Sequence, residues 1–366
     1  MALSSRTWVS HEGDHNDKLA YSPSVTALLV AQLGRRAARR ALESADHPGD
    51  ALARHGIRWS AVEALDRRLR ELGVTVLMPP GDSTDPAPGL ESLWRIPDPP
   101  MSLFFRGNPA LLRKPSIAIV GARRCTPIGA ALAAEMAADL AQAGFVVVSG
   151  LARGIDAAAH EGALAAGSTG AILGSGFDHI YPPEHRRLAD RIRQSGYVLT
   201  EYLPDAKPLG FRFPERNRLI SGLCQAVVVV EASDRSGSLI TARLALEQGR
   251  EVMVVPGSVR SPVSRGCHRL IREGAALVES GRDVLEALGL PGIVRTPLSD
   301  TRVHPDRVAL SDEDAAILLA LDSTPLPLDM IAAHTGLSPQ YLAARLLELE
   351  LIGVVSQVAQ GFVRLE

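Results

Sequence analysis

Four loops of the sequence combine residues that can bind anions or stack on flat rings. The first loop carries Gly121, Ala122, Arg123 and Arg124 ahead of the Thr–Pro pair 126–127, which can begin a helix. Backbone N–H groups at a helix start attract anions, and proline is favoured at the first helical position. The loop therefore predicts an anion site, and the alternative is a tight turn with two solvated arginines.

The second loop contains Ser149, Gly150 and Arg153 at the end of an apolar run. Asp156 and His160 follow at i, i+4 spacing, which places them on one helix face. We expect these two side chains to pair structurally. The alternative is an acid–base couple, but no nucleophile stands near them in the sequence.

The third loop interleaves basic and aromatic residues. Aromatic residues make up only 4% of the chain, so two phenylalanines beside four cations are informative. A single nucleic-acid strand needs charge along its phosphates and flat faces for its bases. The candidate strand-binding residues are Lys207, Phe211, Phe213, Arg216, Asn217 and Arg218. The alternative is a basic loop with core phenylalanines, and we expect one of the two rings to be partly buried.

The fourth loop follows an apolar run that ends at Glu231 and contains Ser236, Gly237 and Ser238. Small residues with free amides suit an anion, although a plain strand–helix turn explains them almost as well. Common enzyme signatures are missing: no glycine precedes any lysine, and neither GxSxG nor HExxH occurs. We therefore predict no catalytic residue, no metal and no cofactor.

The loops follow short apolar runs that indicate buried strands. These runs are SIAIVG, FVVVSG, TGAILG, YVLTE, AVVVVEA and EVMVVPG, and amphipathic stretches separate most of them. Strands that are apolar on both faces are typical of parallel sheets covered by helices on each side. The predicted fold class is α/β, an extended Rossmann-like, doubly wound, mostly parallel sheet. Ligands of such sheets bind beyond the carboxyl ends of the strands.

Composition shifts divide the chain into six parts. Helix-forming residues dominate before the proline-rich stretch that begins at Pro79, and a helix–turn–helix followed by a hairpin at the end indicates a winged helix. The predicted parts are a flexible tail (1–19), an N-terminal helical, SAM-like domain (20–78), a proline-rich linker (79–100), the Rossmann-like core (101–290), a linker (291–310) and a winged-helix domain (311–366).

Composition excludes several classes of protein. The 366 residues are 46% hydrophobic and 22% charged, with mean hydropathy +0.08, which excludes a mostly disordered chain. The three cysteines stand far apart without a CxxC pair, as expected of a reduced protein without disulfides or a zinc site. No secretory leader and no run of about 18 apolar residues is visible. We predict a cytoplasmic protein without a membrane partner.

Charge is distributed unevenly. The total of −2 argues against nucleic-acid binding, but residues 104–124 carry +5, residues 207–218 carry +3 and residues 311–366 carry −6. We therefore place the DNA site in the core and interpret the acidic winged helix as a protein-contact or regulatory module. The cluster Arg35, Arg36, Arg39 and Arg40 is expected to be a solvated helix face, and the alternative is a second DNA-contacting face.

Five ordered blocks resemble the DNA-processing family DprA, also called Smf. They are VGARRCTPIG, SGLARGIDAAAHEGAL, FPERNRLISGL, VVVEASDRSGSLITARLALEQGREVMVVPG and GCHRLIREGAALV. The resemblance implies single-stranded DNA binding, loading of the RecA recombinase in natural transformation, and a homodimer formed through the Rossmann domain. Single-stranded DNA-binding protein is a further candidate partner. Carried over by position, the pocket residues are Gly121, Arg123, Ser149, Gly150, Arg153, Phe213, Arg216, Asn217 and Arg218, with Lys207 nearby.

The sequence departs from the family at Ala122, which replaces a common Ser or Thr and removes a hydroxyl donor. The predicted function is a non-enzymatic recombination mediator that protects incoming single-stranded DNA and loads RecA in transformation or repair. Two alternatives remain open. One is an enzyme resembling nucleotide phosphoribohydrolases, and the other is a regulator that binds duplex DNA through the winged helix.

Overall fold

The computed structural model describes residues 23–45, 47–79, 89–290, 311–322, 325–351, 354–358 and 361–364. The chain forms two compact units, Met1–Val294 and Arg295–Glu366. The predicted tail, 1–19, and the predicted linker, 291–310, lie outside the described residues. The finer division into six parts stays a prediction.

Four helices open the first unit: α1 (Pro23–Leu33), α2 (Arg35–Glu43), α3 (Pro48–Arg54) and α4 (Trp59–Glu71). Gly34 separates α1 from α2 with a φ of 77°, which an L side chain rarely adopts. The helices bury Val25, Leu29, Leu52 and Val62 in a core of their own. This apolar cluster explains why a stretch rich in arginine folds at all, since the arginines occupy the other faces.

A nine-stranded sheet follows. Its strands are β1 (Thr75–Leu77), β2 (Leu103–Gly107), β3 (Ser116–Val120), β4 (Val146–Ser149), β5 (Ser168–Leu173), β6 (Tyr197–Thr200), β7 (Ala226–Val229), β8 (Glu251–Val254) and β9 (Ala276–Leu277). The order is β1-β2-β6-β5-β4-β3-β7-β8-β9. In this spatial order, the seven strands from β6 to β9 run parallel to one another. Strand β2 is antiparallel to both of its neighbours, β1 and β6. The mostly parallel α/β fold and its six predicted strands are confirmed.

The region expected to be a proline-rich linker contributes to the core. Residues 89–100 include the short helix α5 (Glu91–Trp94), in which Leu93 is fully buried beside Leu90. The many prolines concealed these two leucines, and they also concealed β2, which pairs with both β1 and β6.

Helices cover both faces of the sheet. They are α6 (Pro127–Gln142), α7 (Ile155–Ala166), α8 (Arg186–Ser195), α9 (Arg212–Leu223), α10 (Ser238–Glu247), α11 (Arg265–Arg272) and α12 (Gly281–Ala287). Successive side chains of a strand point to opposite faces. Accordingly, Ile117 and Ile119 join one apolar cluster, while Ala118 and Val120 join the other.

The direction of winding reverses between β3 and β7. From β3 the chain builds β4, β5 and β6 on one side, and it then returns to β7 on the other side of β3. The loops at the carboxyl ends of these two strands diverge, which opens a crevice in doubly wound sheets. The four predicted loops all leave strands or precede helices at this carboxyl edge of the sheet.

The second unit is the predicted winged helix. It consists of α13 (Asp312–Ala320), α14 (Leu328–Thr335), α15 (Pro339–Leu351) and an antiparallel hairpin of β10 (Val355–Val358) and β11 (Gly361–Arg364). Arg345 is bound to the buried Asp314, with Nη2 and Oδ2 2.6 Å apart. Across the described parts of both units, no helix is long and apolar enough to cross a membrane.

Candidate functional site

The first two loops contact each other across the carboxyl edge. Gly154 has a φ of 75°, and a Cβ there would overlap the carbonyl oxygen of Ala122. That oxygen accepts the Ile155 N–H at 3.2 Å, and a Cβ on Gly121 would stand 2.6 Å from Cγ1 of Ile155. Ala122 and its neighbours therefore form a close backbone contact that larger residues would prevent, and Ala122 itself is buried.

The anion position at the start of α6 is filled by a side chain of the protein. Glu231 follows β7, and its carboxylate accepts the Thr126 N–H at 2.9 Å and the Thr126 hydroxyl at 2.6 Å. The same hydroxyl accepts the Gly129 N–H at 2.9 Å and caps the helix. An external phosphate at this helix start would meet a carboxylate, so the predicted anion site is not open there.

The residues of the second loop have internal partners. Ser149 is buried, and its hydroxyl donates to the Ile119 carbonyl at 2.7 Å. Asp156 Oδ2 accepts the N–H groups of Gly150 and Ala152 at 3.1 and 3.3 Å. Arg153 is exposed, and it forms an ion pair with Glu184 on a neighbouring turn. Of this loop's predicted residues, only Arg153 presents its side chain to solvent.

The predicted pairing of Asp156 with His160 is wrong. Asp156 serves the backbone of its own loop, whereas His160 Nδ1 lies 2.7 Å from the Thr169 hydroxyl. That hydroxyl donates to the Val147 carbonyl, so the His160 ring donates from Nδ1. Burial lowers the pKa of His160 to about 3, which leaves it neutral. Helical spacing placed both residues on one face, but each side chain reaches a different neighbour.

Arg216 is buried below the carboxyl edge of the sheet. Its Nη1 donates to the Gly150 carbonyl at 2.7 Å and also to the Ile172 carbonyl. Burial lowers the pKa of Arg216 to about 10, although the nearby charge of Asp156 opposes the shift. Burial also raises the pKa of Asp156. Arg216 thus joins the loop after β4 to the end of β5 from inside, and only 4% of the residue is exposed.

An open surface of rings and cations lies at the same edge. The Arg123 guanidinium stands 5.7 Å from the centroid of the Phe213 ring, which is within cation–π range. The Tyr181 ring packs against the Phe213 ring, with the two centroids 5.4 Å apart. Phe213 fits close to the backbone because a Cβ on Gly174 would lie 2.8 Å from it.

A second set of contacts continues this surface. Phe211 is 60% exposed. The guanidinium carbon of Arg212 lies 5.8 Å from the centroid of the Phe211 ring and 4.7 Å from that of the Tyr202 ring. Arg212 Nη1 also donates to the Lys207 carbonyl at 2.6 Å. We define the basic–aromatic surface as Arg123, Tyr181, Lys207, Phe211, Arg212 and Phe213. Arg124 is exposed in the first loop, beside Arg123.

Two members of this surface, Tyr181 and Arg212, were not among the predicted site residues. Arg212 lies inside the third motif and was counted only as charge. Tyr181 precedes two prolines at 182–183. The signal that could have identified it is an aromatic residue in a loop, in a chain that has few aromatic residues.

The fourth loop joins the site beside α9. Asn217 Nδ2 approaches the Gly237 carbonyl at 3.5 Å, and the hydroxyls of Ser236 and Ser238 are 2.7 Å apart. Gly237 is exposed, with open space around the position of a Cβ. The loop therefore offers exposed backbone on the β7 side of the crevice.

Several predicted cations are placed elsewhere. Arg218 is buried in a group of four charges that also includes Arg35, so Arg35 is not part of a solvated face. Within the +5 segment, Arg106 lies near the start of β6, and Arg113 and Lys114 precede β3. These three occupy the amino edge of the parallel strands. A charge count over neighbouring residues includes both ends of a strand. The two ends of a strand lie at opposite edges of the sheet, so the counted cations need not lie together.

The fold and this surface define a doubly wound α/β protein with an open cationic and aromatic edge and a winged helix. The profile of the family described as DNA recombination-mediator protein A matches residues 86–289, and that of the DprA winged helix domain matches residues 302–361. The chain belongs to the DprA/Smf family and has a DNA-processing, recombination-mediator role.

Individual relatives agree with this assignment. DNA processing protein DprA of Streptococcus pneumoniae is 50% identical over 194 residues, which cover 53% of this chain and 68% of that protein. Protein Smf of Escherichia coli is 40% identical over 272 residues, covering 73% and 72%.

Two solved structures are similar. That of the Streptococcus pneumoniae DprA has a TM-score of 0.59 at 37% identity and covers 74% of this chain and 95% of that one. A structure concerning the single-stranded DNA binding mode of DNA processing protein A from Helicobacter pylori has a TM-score of 0.52 at 31% identity, covering 59% and 95%.

Proposed function

We propose that this chain binds single-stranded DNA on the basic–aromatic surface and acts there as a recombination mediator. The observation that carries the proposal is the contact of Arg123 with Phe213 beside the crevice, with the Phe211 ring exposed nearby. Cations would hold successive phosphates, and the rings would stack on bases. The related Helicobacter pylori protein, for which a single-stranded DNA binding mode is described, supports this assignment.

The surface favours single strands over duplexes for a geometric reason. Stacking on Phe211 or Phe213 requires an unpaired base with a free face, and a duplex keeps its bases stacked on each other. The cations supply affinity that depends on salt, because phosphate neutralisation releases counterions. Affinity should therefore fall with salt for both kinds of DNA and be higher for the single strand.

The test is a titration of labelled oligothymidine and of a duplex of equal length at several salt concentrations. Arg123→Ala should weaken strand binding and lower the slope of log K against log salt by about 1. The matched control is Arg282→Ala. Arg282 is exposed and follows Gly281. A Cβ on Gly281 would touch Asp139 near the end of α6, which places this control residue at the amino edge of the sheet. Equal affinity for the two DNAs, or equal effects of the two variants, would refute the site.

The two alternative functions have weaker support. A phosphoribohydrolase-like enzyme would need a free acid at the crevice, and the Glu231 carboxylate is engaged by Thr126. Release of free base from nucleoside monophosphates would favour that enzyme. A duplex-binding winged helix would need cations on its third helix, where Arg345 is bound to Asp314. Loss of duplex binding after removal of residues 311–366 would favour that regulator.

The remaining steps of the proposed function involve partners. The strand would be protected while bound and then passed to RecA, and single-stranded DNA-binding protein is a candidate source of the strand. We further propose a homodimer formed through the Rossmann-like core. The terminal strand β9 supports this step, because it pairs only with β8 among the described strands and exposes 52% of Leu277. Two sites on one assembly would raise the affinity for long strands by avidity.

A further inference from the structure

Four charged side chains form a closed ring in the first unit. Arg35 Nη2 lies 2.7 Å from Asp98 Oδ2, and Arg35 Nη1 lies 3.2 Å from Glu201 Oε2. Arg218 closes the ring, since its Nε is 3.4 Å from Asp98 Oδ2 and its Nη2 donates to Glu201 Oε2. The charges alternate and cancel. We call this group the charge ring.

The members of the charge ring come from two helices and two loops. Arg35 is the first residue of α2, Asp98 precedes β2, Glu201 follows β6, and Arg218 belongs to α9. The ring therefore joins the N-terminal helices to the helix that carries the third motif. Glu201 and Arg218 show only 3% and 6% of their side chains to solvent. A phosphate cannot reach an arginine that is covered in this way.

A neighbouring contact holds the same helix. Tyr202, the residue after Glu201, donates its hydroxyl to Glu215 Oε2 on α9 at 3.0 Å. The end of β6 is thus attached to α9 at two points, through Glu201 and through Tyr202. Both attachments are polar and directional, so they fix the rotation of α9 about its axis more strictly than apolar packing does.

Helix α9 also carries side chains of the DNA site. Its first two residues are Arg212 and Phe213, and Asn217 precedes Arg218 directly. Rotation of α9 about its axis would move these side chains away from Arg123 and from the Gly237 loop. The charge ring is therefore placed to control the site from a position that the strand does not touch.

We propose that Arg218 and Arg35 are positioning residues, and that the N-terminal helices orient α9 for strand binding through the charge ring. This inference rests on the proposed function. Removal of either arginine leaves Glu201, which is almost fully buried, with one cationic partner in place of two. The two losses disrupt the same ring, so they should not add.

The experiment compares Arg35→Met, Arg218→Met and the double variant in oligothymidine titrations across salt concentrations. Methionine keeps an apolar stem and removes the charge. Each single variant should weaken binding about tenfold, a typical coupling between sites. The salt slope should stay that of the parent, and the double variant should bind like the singles. The control is Arg40→Met, which removes an exposed cation of the same helix outside the charge ring and should bind as the parent does.

Several outcomes would overturn the inference. A slope lowered by about 1 in Arg218→Met would make Arg218 a phosphate contact. Parent-like affinity in Arg35→Met, or an additive double variant, would remove the link to the N-terminal helices. If Arg218→Met does not fold, the comparison of Arg35→Met with Arg40→Met carries the test alone, because parent-like affinity in Arg35→Met refutes the inference.

A second readout needs no DNA. Amide hydrogen exchange of α9 in the free protein should be faster in Arg35→Met than in Arg40→Met, because α9 loses an anchor only in the first. Equal exchange would refute the role of the charge ring. Absence of oligothymidine binding by the parent would instead refute the proposed function, so the two failures are distinguishable.

Discussion

The carboxylate of Glu231 closes the start of helix α6 by accepting both the N–H and the hydroxyl of Thr126, at 2.9 and 2.6 Å. These bonds connect the loops after β3 and β7 across the crevice. They also explain Gly129, where a Cβ would stand 2.5 Å from the Glu231 carboxyl carbon. An acidic side chain thus fills the place that nucleotide-binding sheets leave for phosphate, and the open cations lie to one side of it.

The first prediction concerns this cap. Thr126→Ala removes the acceptor for the Gly129 N–H and the donor to Glu231, so it should lower the free energy of unfolding by about 2 kcal/mol. Thr126→Ser keeps both bonds and serves as the control, with a loss below about 1 kcal/mol. Denaturant unfolding at neutral pH measures the difference. Equal stability of the two variants would contradict the cap.

The second prediction separates the two phenylalanines. Phe211 is 60% exposed, so Phe211→Ala should cost little stability but weaken strand binding by about 1–3 kcal/mol, as loss of one stacked base does. Phe211→Trp should keep the affinity. Phe213 packs on Tyr181, so Phe213→Ala should lower both affinity and melting temperature. Melting curves and titrations of the same samples decide, and full affinity in Phe211→Ala would remove this ring from the site.

The third prediction uses two glycines that share a positive φ, Gly154 at 75° and Gly144 at 95°. Alanine should cost about 1–2 kcal/mol at either position through backbone strain. Only at Gly154 does the new Cβ overlap the Ala122 carbonyl oxygen, whereas it meets open space at Gly144. Gly154→Ala should therefore destabilise the protein by more than about 3 kcal/mol and weaken strand binding. Matching behaviour of the two variants would show that the loop contact is unimportant.

The fourth prediction is a dependence of stability on pH. Burial holds the pKa of His160 at about 3, against 6.5 for the free side chain. The unfolded chain therefore binds an extra proton between these values, and stability is lost as the pH falls through that window. Between pH 7 and pH 5 this group should remove about 2 kcal/mol.

The matched variant for this prediction is His160→Leu, which has no ring to protonate. Thr169 keeps its bond to the Val147 carbonyl in that variant. The change in unfolding free energy between pH 7 and pH 5 should be smaller in the variant by about 2 kcal/mol. Identical changes in parent and variant would mean that His160 titrates alike in both states.

The fifth prediction tests the proposed dimer. Leu277 lies on the terminal strand β9 and is 52% exposed, so Leu277→Arg should place a charge in the interface and halve the mass measured by light scattering. Leu246 on α10 has a similar exposure of 57% and provides the control, Leu246→Arg. A parent that is already monomeric, or a Leu277→Arg variant that keeps the parent mass, would refute an interface at β9.

The strands and the winged helix could be predicted because their signals are local. Apolar runs of four to six residues that are bounded by glycine, proline or polar residues are typical of buried strands. The carboxyl edge followed from topology alone, since parallel strands end together. Strand β2 and the buried Leu90 and Leu93 could not be predicted, because the prolines around them indicated a linker and their partners are distant in the sequence.

The roles of the arginines were harder to predict. Arg216 and Arg218 stand in one motif with Arg212, and all three carry the same charge. Their roles differ because the helix points each side chain in a different direction. Arg212 lies at the surface, Arg216 donates to the carbonyl of Gly150, and Arg218 donates to Glu201. Glu201, which accepts from Arg218, lies seventeen residues away, and Asp98 lies in the loop before β2. Spacing cannot reveal such partners.

The contact between Arg123 and Phe213 has a consequence for the lifetime of a complex. The ring already has a cation over one face, so in the proposed complex a base that stacks on that face would displace the guanidinium. The guanidinium returns when the base leaves, and each event exchanges one partner of the ring for another. The net gain of stacking is smaller than it would be on a bare ring, and the departing strand leaves no unsatisfied face behind. Rapid release would suit the proposed transfer of the strand to RecA.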